Sequence, residues 1–327
     1  MASAVVASSA DARAPAAGTR PSPTLARDPR VRVGTASWTD KGLIASGRFY
    51  PSGCSSAEAR LKFYASRFSL VEVDSSYYAM PSARNAALWA ARTPPNFTFN
   101  IKAFRALTHH QTPPIALPPD LRRHVSGDKN VYASDLPGEL LDELWARYVE
   151  ALAPLVAAGK LGAIHFQFPP WFTATRAHRA YLAEVRRRLG ALPVAVEFRH
   201  YTWFAGANRA ETLALERDLK LVNAVVDEPQ GWSASIPAVW EVTVPALAIL
   251  RLHGRNHATW TQKGLVSSAE RFNYDYSRDE LAEFVGPVRA LAERANEVHV
   301  ILNNNFEDQG QRNAASLMEL FDTALLP

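Results

Sequence analysis

The sequence predicts a (β/α)8 TIM barrel, an α/β fold of parallel strands with an unusually polar barrel interior. Three observations predict it. Eight strand-like runs alternate with helical patterns between residues 31 and 327. In every run after the first, polar residues hold one parity and apolar residues mostly the other. Neither an internal repeat nor a clean linker divides this stretch, so 31–327 reads as a single domain. Successive strand side chains point to opposite faces, so one sheet face is apolar and the other carries charges, amides and imidazoles. With helices on the apolar face, the polar face lines a closed barrel.

Each element follows from its own pattern. The first strand is Val31–Ser37. Ser56–Phe68 is helical, with Leu61, Tyr64, Ala65 and Phe68 on one face. The second strand, Leu70–Ser76, carries Glu72 and Asp74 on one parity, and a short helix follows at Asn85–Ala91. The third, Phe97–Lys102, carries Asn100 and Lys102. A long connection, Ala103–Pro137, contains Thr108-His109-His110 and several prolines, without a clear helix. Glu139–Ala158 is a long helix striped by Leu140, Leu144, Tyr148, Leu152 and Leu155. The fourth strand, Ala163–Phe168, presents His165 and Gln167 and precedes a helix at Thr175–Leu189. The fifth, Pro193–Arg199, presents Glu197 and Arg199, with a helix at Asn208–Lys220. The sixth, Leu221–Asp227, presents Asn223 and Asp227; the connection Glu228–Glu241 reads as irregular. The seventh, Ala248–His253, presents Arg251 and His253 and leads into a second long connection, Arg255–Tyr276. A helix at Arg278–Asn296, the eighth strand Glu297–Asn303 with His299 and Asn303, and a helix at Asn313–Leu325 complete the chain. Both long connections leave carboxyl ends of strands, where barrel sites lie.

Composition narrows the classes. The net charge is +4, and residues 1–30 supply +2 of it through Arg13, Arg20, Arg27 and Arg30 against Asp11 and Asp28. The remainder holds 32 cations against 30 anions, which argues against a dedicated nucleic-acid binder. That first stretch, rich in Ala, Ser, Pro and Arg, reads as a disordered tail. It has no continuous apolar segment of the secretory kind. Cys54 is the only cysteine, so an internal disulfide and a cysteine-based zinc site are both excluded. No apolar run approaches the ~18 residues of a membrane span. A cytoplasmic setting is expected.

The strand ends spell a further pattern. They read Gly34-Thr35-Ala36-Ser37-Trp38, Phe49-Tyr50-Pro51, and Val71-Glu72-Val73-Asp74-Ser75-Ser76-Tyr77-Tyr78. Then come Ile164-His165-Phe166-Gln167-Phe168-Pro169-Pro170, Glu197-Phe198-Arg199-His200, Arg251-Leu252-His253-Gly254-Arg255 and Asn303-Asn304-Asn305. This order, from about Val31 to Leu320, resembles the YecE-like family, domain of unknown function 72. The resemblance implies a TIM barrel and supplies no reaction. The chain departs from the family pattern at Asp74, where Asn is commoner, at Ala36, at Ile301-Leu302, and in a longer stretch Pro113–Leu136.

The inward polar residues are the candidates for chemistry. Glu197 is the first choice for general acid or base, with Glu72 or Asp74 as second carboxylate, the pairing that glycoside hydrolysis uses. Lys102 is a candidate base or nucleophile if desolvation lowers its pKa. The bland alternative is a salt-bridged interior in which these carboxylates face Lys102, Arg199 and Arg251. Arg199, Arg251 and His253 suit an anionic ligand, and Gln167, Asn303 and Asn305 supply amides. Trp38, Tyr77 and Trp203 follow strand ends and form an expected aromatic rim for a ring. No metal site is assigned; a divalent ion on His109, His110, His165 or His253 is the minor alternative. A Gly-rich phosphate loop is missing, so no cofactor is indicated. The expected function is a cytosolic enzyme acting on a sugar, sugar phosphate or similar polar metabolite. The alternatives are a nucleic-acid-associated barrel of nuclease or repair type, and a non-catalytic binding barrel with a buried charge network.

Overall fold

The computed structural model describes residues 28–323, apart from Ser126, Asp128 and Val266. Most of the expected tail and the last residues of the expected C-terminal helix lie outside the described residues. The eight strands are β1 Val31–Ala36, β2 Leu70–Val73, β3 Thr98–Lys102, β4 Leu161–Gln167, β5 Val194–Glu197, β6 Leu221–Asp227, β7 Leu247–Leu252 and β8 Glu297–Leu302. They form a closed barrel in sequence order, every neighbouring pair parallel, with β1 against β8. The fold is therefore the (β/α)8 barrel that the alternation predicts.

Helices cover the outside. Ala57–Ala65, Ala83–Ala91, Gly138–Ala157, Arg176–Leu189, Asn208–Asp218 and Gln309–Thr323 fall close to the expected runs. The Gly138–Ala157 helix buries the stripe Leu140, Leu144, Tyr148, Leu152 and Leu155 against the sheet. One expected helix is two: Arg278–Glu283 and Val285–Arg294 meet at Phe284. Pro287 is the cause, because it has no N–H for the Glu283 carbonyl and its ring crowds that carbonyl. β2 ends at Val73, earlier than expected, because Ser75–Tyr78 turns into a helical loop. Ser76 Oγ there donates to the Val73 and Lys102 carbonyls, both at 2.6 Å.

Two corrections concern the interior. The polar parity of β6 faces outward. Ala195 pairs with Val222 and Arg251 with Val226, and side-by-side residues of parallel strands point the same way. Asn223 therefore points out, its amide donating to the Val239 carbonyl at 2.9 Å. Asp227 likewise binds Arg255 and, at 2.6 Å, the Tyr276 hydroxyl. The barrel is also not polar throughout. Ala36, Leu70, Ala163, Ala195, Val222, Leu247, Ile249 and Ile301 make a separate inner apolar cluster. Most of these lie two residues before an inward polar residue, so an apolar belt underlies the charged layer at the carboxyl ends. Below the belt, His299 Nδ1 lies 3.1 Å from Asn100 Oδ1. Gly162 makes room for this pair: a Cβ there would stand 2.5 Å from Asn100 Oδ1 and 2.7 Å from His299 Cε1.

Candidate functional site

Above the apolar belt the charges form one alternating chain. Arg251 reaches up from β7 and its two Nη atoms split between strands. Nη2 donates to Glu72 Oε1 on β2 and Nη1 to Glu197 Oε2 on β5, both at 2.5 Å. Glu197 Oε1 meets Arg199 Nη2 at 2.6 Å. Arg199 Nη1 in turn meets Glu228 Oε2 at 2.5 Å. The order is Glu72, Arg251, Glu197, Arg199, Glu228. Gln167 adds a long contact, Oε1 at 3.4 Å from Arg251 Nη1. Glu72, Glu197, Arg251, His165 and His253 are all fully buried.

Protonation follows from this packing. Burial alone would raise the Glu197 pKa, but Arg199 and Arg251 hold the carboxyl well below its ordinary range. His165 and His253 are pushed down, first by burial and then by Arg251 and Arg199 respectively. His253 Nε2 lies 2.9 Å from Arg199 Nη2, which can only donate, so the neutral ring accepts there and carries its proton on Nδ1, 2.7 Å from the Asn303 side-chain amide. Glu228 goes the other way. Burial raises it to about 7, more than Arg199 can offset. The chain holds three carboxylates and two guanidiniums, so a proton on Glu228 brings it to neutrality.

Asp74 and Lys102 form a second pair nearer the mouth, at 2.7 Å, with side chains 20% and 11% exposed. Burial works to raise Asp74 and Lys102 outweighs it, so the carboxyl lies below its usual value. The Tyr77 ring lies 5.1 Å from Lys102 Nζ and 5.2 Å from the Arg105 guanidinium.

Two cavities open beside these groups on the carboxyl face. The first is about 430 Å³ and is lined by Gln167, Arg199, His110, Trp260, Lys263, Arg271 and Phe272 among others. Arg199, Lys263 and Arg271 give it three cations, and no carboxylate lines it. The second is about 550 Å³ and of opposite character, with Asp40, Asp74, Glu270 and Glu307 against Lys41. The connection after β7 contributes to both walls. Its Trp260 faces the Arg199 guanidinium at 5.7 Å, and its Phe272 ring lies 6.0 Å from His253. It covers the charge chain. A groove of about 590 Å³ at the opposite end, between Pro193, Val222 and Leu247, contains none of the expected site residues.

The expected residues divide accordingly. Glu72, Glu197, Arg199, Arg251, His253, Gln167 and Asn303 come together, but only Gln167 and Arg199 reach a cavity wall. Arg251 and His253 are sealed, and so cannot touch a ligand in this arrangement. Asp74 lines the acidic cavity, as does Asn305, and Lys102 and Tyr77 pack beside Asp74. Trp38 and Trp203 are corrections. Trp38 packs edge-on to Trp89 at 5.8 Å in the outer core. Trp203 is fully buried there too, stacked on Phe198 at 4.0 Å, with Nε1 donating to the Phe172 carbonyl at 2.6 Å. Both follow strand ends, yet their rings turn outward into the helix layer. Asp227, on the polar parity of β6, also lies outside the barrel. Sequence reasoning missed Glu228, Lys263, Arg271 and Phe272, although the last three belong to the connection it singled out. Among the described residues, no three His, Cys, Asp or Glu side chains are grouped to hold a metal ion. No described helix is long and apolar enough to cross a membrane.

Fold and site together define a TIM barrel whose carboxyl face carries a sealed ion-pair chain beneath a cationic cavity. The chain belongs to the family described as protein of unknown function DUF72, whose sequence model matches residues 32–326. The UPF0759 protein YunF of Bacillus subtilis (strain 168) is 30% identical over 294 residues, covering 89% of this chain and 95% of YunF. A crystal structure of a DUF72 family protein from Enterococcus faecalis V583 superposes with a TM-score of 0.73 at 27% identity, covering 89% of this chain and 95% of that one. A DUF72 family protein from Thermotoga maritima MSB8 gives 0.70 at 28% identity, covering 89% and 99%.

Proposed function

We propose that this protein is a cytoplasmic enzyme that binds and acts on a small anionic, polyhydroxylated metabolite of the sugar-phosphate class at the carboxyl mouth of the barrel. The observation that carries the reading is the charge of the 430 Å³ cavity: three cations, no carboxylate, and an aromatic wall of Trp260 and Phe272. Its volume is that of a small-molecule pocket, about 300–1,000 Å³, not of an extended nucleic-acid groove. Lys263 has no ion-pair or hydrogen-bond partner among the described residues, and Arg271 makes only a 3.1 Å bond to the Gln262 carbonyl, so both cations are available to an anion. Arg199 is held from behind by Glu197 and Glu228, which presents it as a fixed donor. Glu197 and Glu72 serve in this reading to orient guanidiniums, since sealed and paired carboxylates cannot reach a substrate proton. No cofactor belongs to the reading.

The test is a thermal-shift comparison of ribose 5-phosphate with ribose. A phosphate ester at 100 times its Kd stabilises by about 2.7 kcal/mol, while ribose should stabilise far less. Lys263→Ala/Arg271→Ala should remove the ester's effect without lowering the unliganded melting point. Equal shifts with ribose, or none with any phosphate ester, would reject the cavity as an anion site.

A second reading places proton transfer on Asp74 and Lys102. What favours it is that these alone of the four expected catalytic residues keep partial exposure. Once a turnover assay exists, Asp74→Asn should lower kcat at least a hundredfold, the usual weight of an acid or base. An unchanged kcat would remove the pair from the mechanism.

A further inference from the structure

We infer that His110 is a specificity-determining residue of the cationic cavity: its Nε2 accepts a hydrogen bond from the ligand, so the cavity selects anions that carry a proton donor. The inference deepens the reading above and rests on it. His110 lines the cavity with Arg199, Lys263 and Arg271. Its Nδ1 lies 2.9 Å from Thr108 Oγ1. The Thr108 hydroxyl has one proton, and it donates that proton to the Arg105 carbonyl at 3.1 Å. Thr108 therefore accepts from the ring, and the His110 proton sits on Nδ1. Nε2 is left with a lone pair and no partner among the described residues.

The surroundings keep it that way. Burial, followed by the nearby Lys102 and Arg105, holds the imidazole neutral, with a pKa pushed down to about 3. The Tyr77 ring on one side and the Trp171 ring on another, at 5.1 and 5.9 Å edge to face, fix its orientation. Thus the cavity presents three cationic donors and one neutral acceptor. An oxyanion with no hydrogen meets repulsion at that acceptor; one with a P–OH or sugar hydroxyl meets a bond. This is selection by an unmatched lone pair, a hydrogen-bond acceptor placed where the sealed carboxylates cannot reach.

Inorganic phosphate and sulfate separate the cases. At pH 7 both are tetrahedral anions, but only phosphate retains a P–OH. Calorimetric titration of the full-length protein should show phosphate bound about tenfold tighter than sulfate, the effect of one hydrogen bond gained against one lone-pair conflict. His110→Phe should bring the two anions within about twofold, and Thr108→Val, which frees the tautomer, should narrow the gap as well. Equal binding by the wild type, or discrimination that survives in a folded His110→Phe protein, overturns the role of His110 and leaves the anion site standing. Binding that persists in Lys263→Ala/Arg271→Ala, or no binding of either anion, overturns the anion site itself.

Discussion

Arg251 of β7 donates to Glu197 of β5 at 2.5 Å, and neither side chain reaches solvent. A sealed ion pair adds little net stability over a well-packed apolar pair, because both ions have lost their hydration. Breaking one side is another matter. Arg251→Met would leave Glu72 and Glu197 facing each other without the cation that compensates both. The expected cost is roughly 3–5 kcal/mol in urea unfolding. A loss below about 1 kcal/mol would mean that water enters the layer and that the chain of charges is not sealed.

Glu228 makes the stability pH-dependent in a sense opposite to its neighbours. Its folded pKa of about 7 lies above the ordinary 4.5, so the native state holds the proton that the unfolded chain releases. That contribution is fully present below about pH 4.5 and is lost as the pH rises to 7. His165, His253 and Glu197 are depressed, so their contributions are lost as the pH falls. Wild-type curves therefore mix opposing slopes, and a variant is needed to isolate one. Glu228→Gln imitates the protonated state at every pH. From pH 5 to 8 the wild type should lose about 2–3 kcal/mol relative to Glu228→Gln. A pH-independent difference would show that Glu228 stays ionised against Arg199.

Much of this was legible in the chain, and the parts that were not share a cause. Glu72, His165, Glu197 and Arg251 converge because strand alternation and paired register carry parity from strand to strand, with one shift between Phe99 and Asn100 where β3 meets β4. β6 misled because it is buried on both faces, so Val222 and Val226 compete with Asn223 and Asp227 for the inward parity. Position along the chain placed Trp38 and Trp203 at a rim, but ring direction is decided by rotamer and by the helices packed outside. Lys263 and Arg271 lie in a loop without periodicity, and Glu228 reaches Arg199 only through the path of the chain beyond β6.

Gly162 tests the lower interior independently of the site. Any side chain there enters the space of Asn100 and His299, both fully buried, so neither can move aside into solvent. Gly162→Ala should cost about 1–3 kcal/mol by overpacking, with phosphate-ester binding unchanged. Gly47, whose added Cβ would meet nothing within 4 Å but whose φ is +65°, is the control for backbone strain. Gly47→Ala should cost about 1 kcal/mol, the price of the left-handed conformation alone. A loss at Gly162 well below about 1 kcal/mol would argue against the crowding there.

The tryptophans report on the cavity separately from the core. Trp260 lines the cavity and faces Arg199 at 5.7 Å, whereas Trp38 and Trp203 lie in the outer layer. An anion seated beside Arg199 changes the field at the Trp260 ring and leaves the other two in an unchanged environment. Ribose 5-phosphate should therefore alter the protein's tryptophan emission, and Trp260→Phe should remove most of that change. Trp38→Phe and Trp203→Phe should retain it. Trp203→Phe should also lower stability by about 1 kcal/mol or more, because the buried bond to the Phe172 carbonyl is lost and the ring volume is not refilled. If Trp203→Phe instead abolishes the emission change while the protein stays folded, the aromatic contact to the ligand lies where strand-end position alone had placed it, and the cavity beside Arg199 is not the binding site.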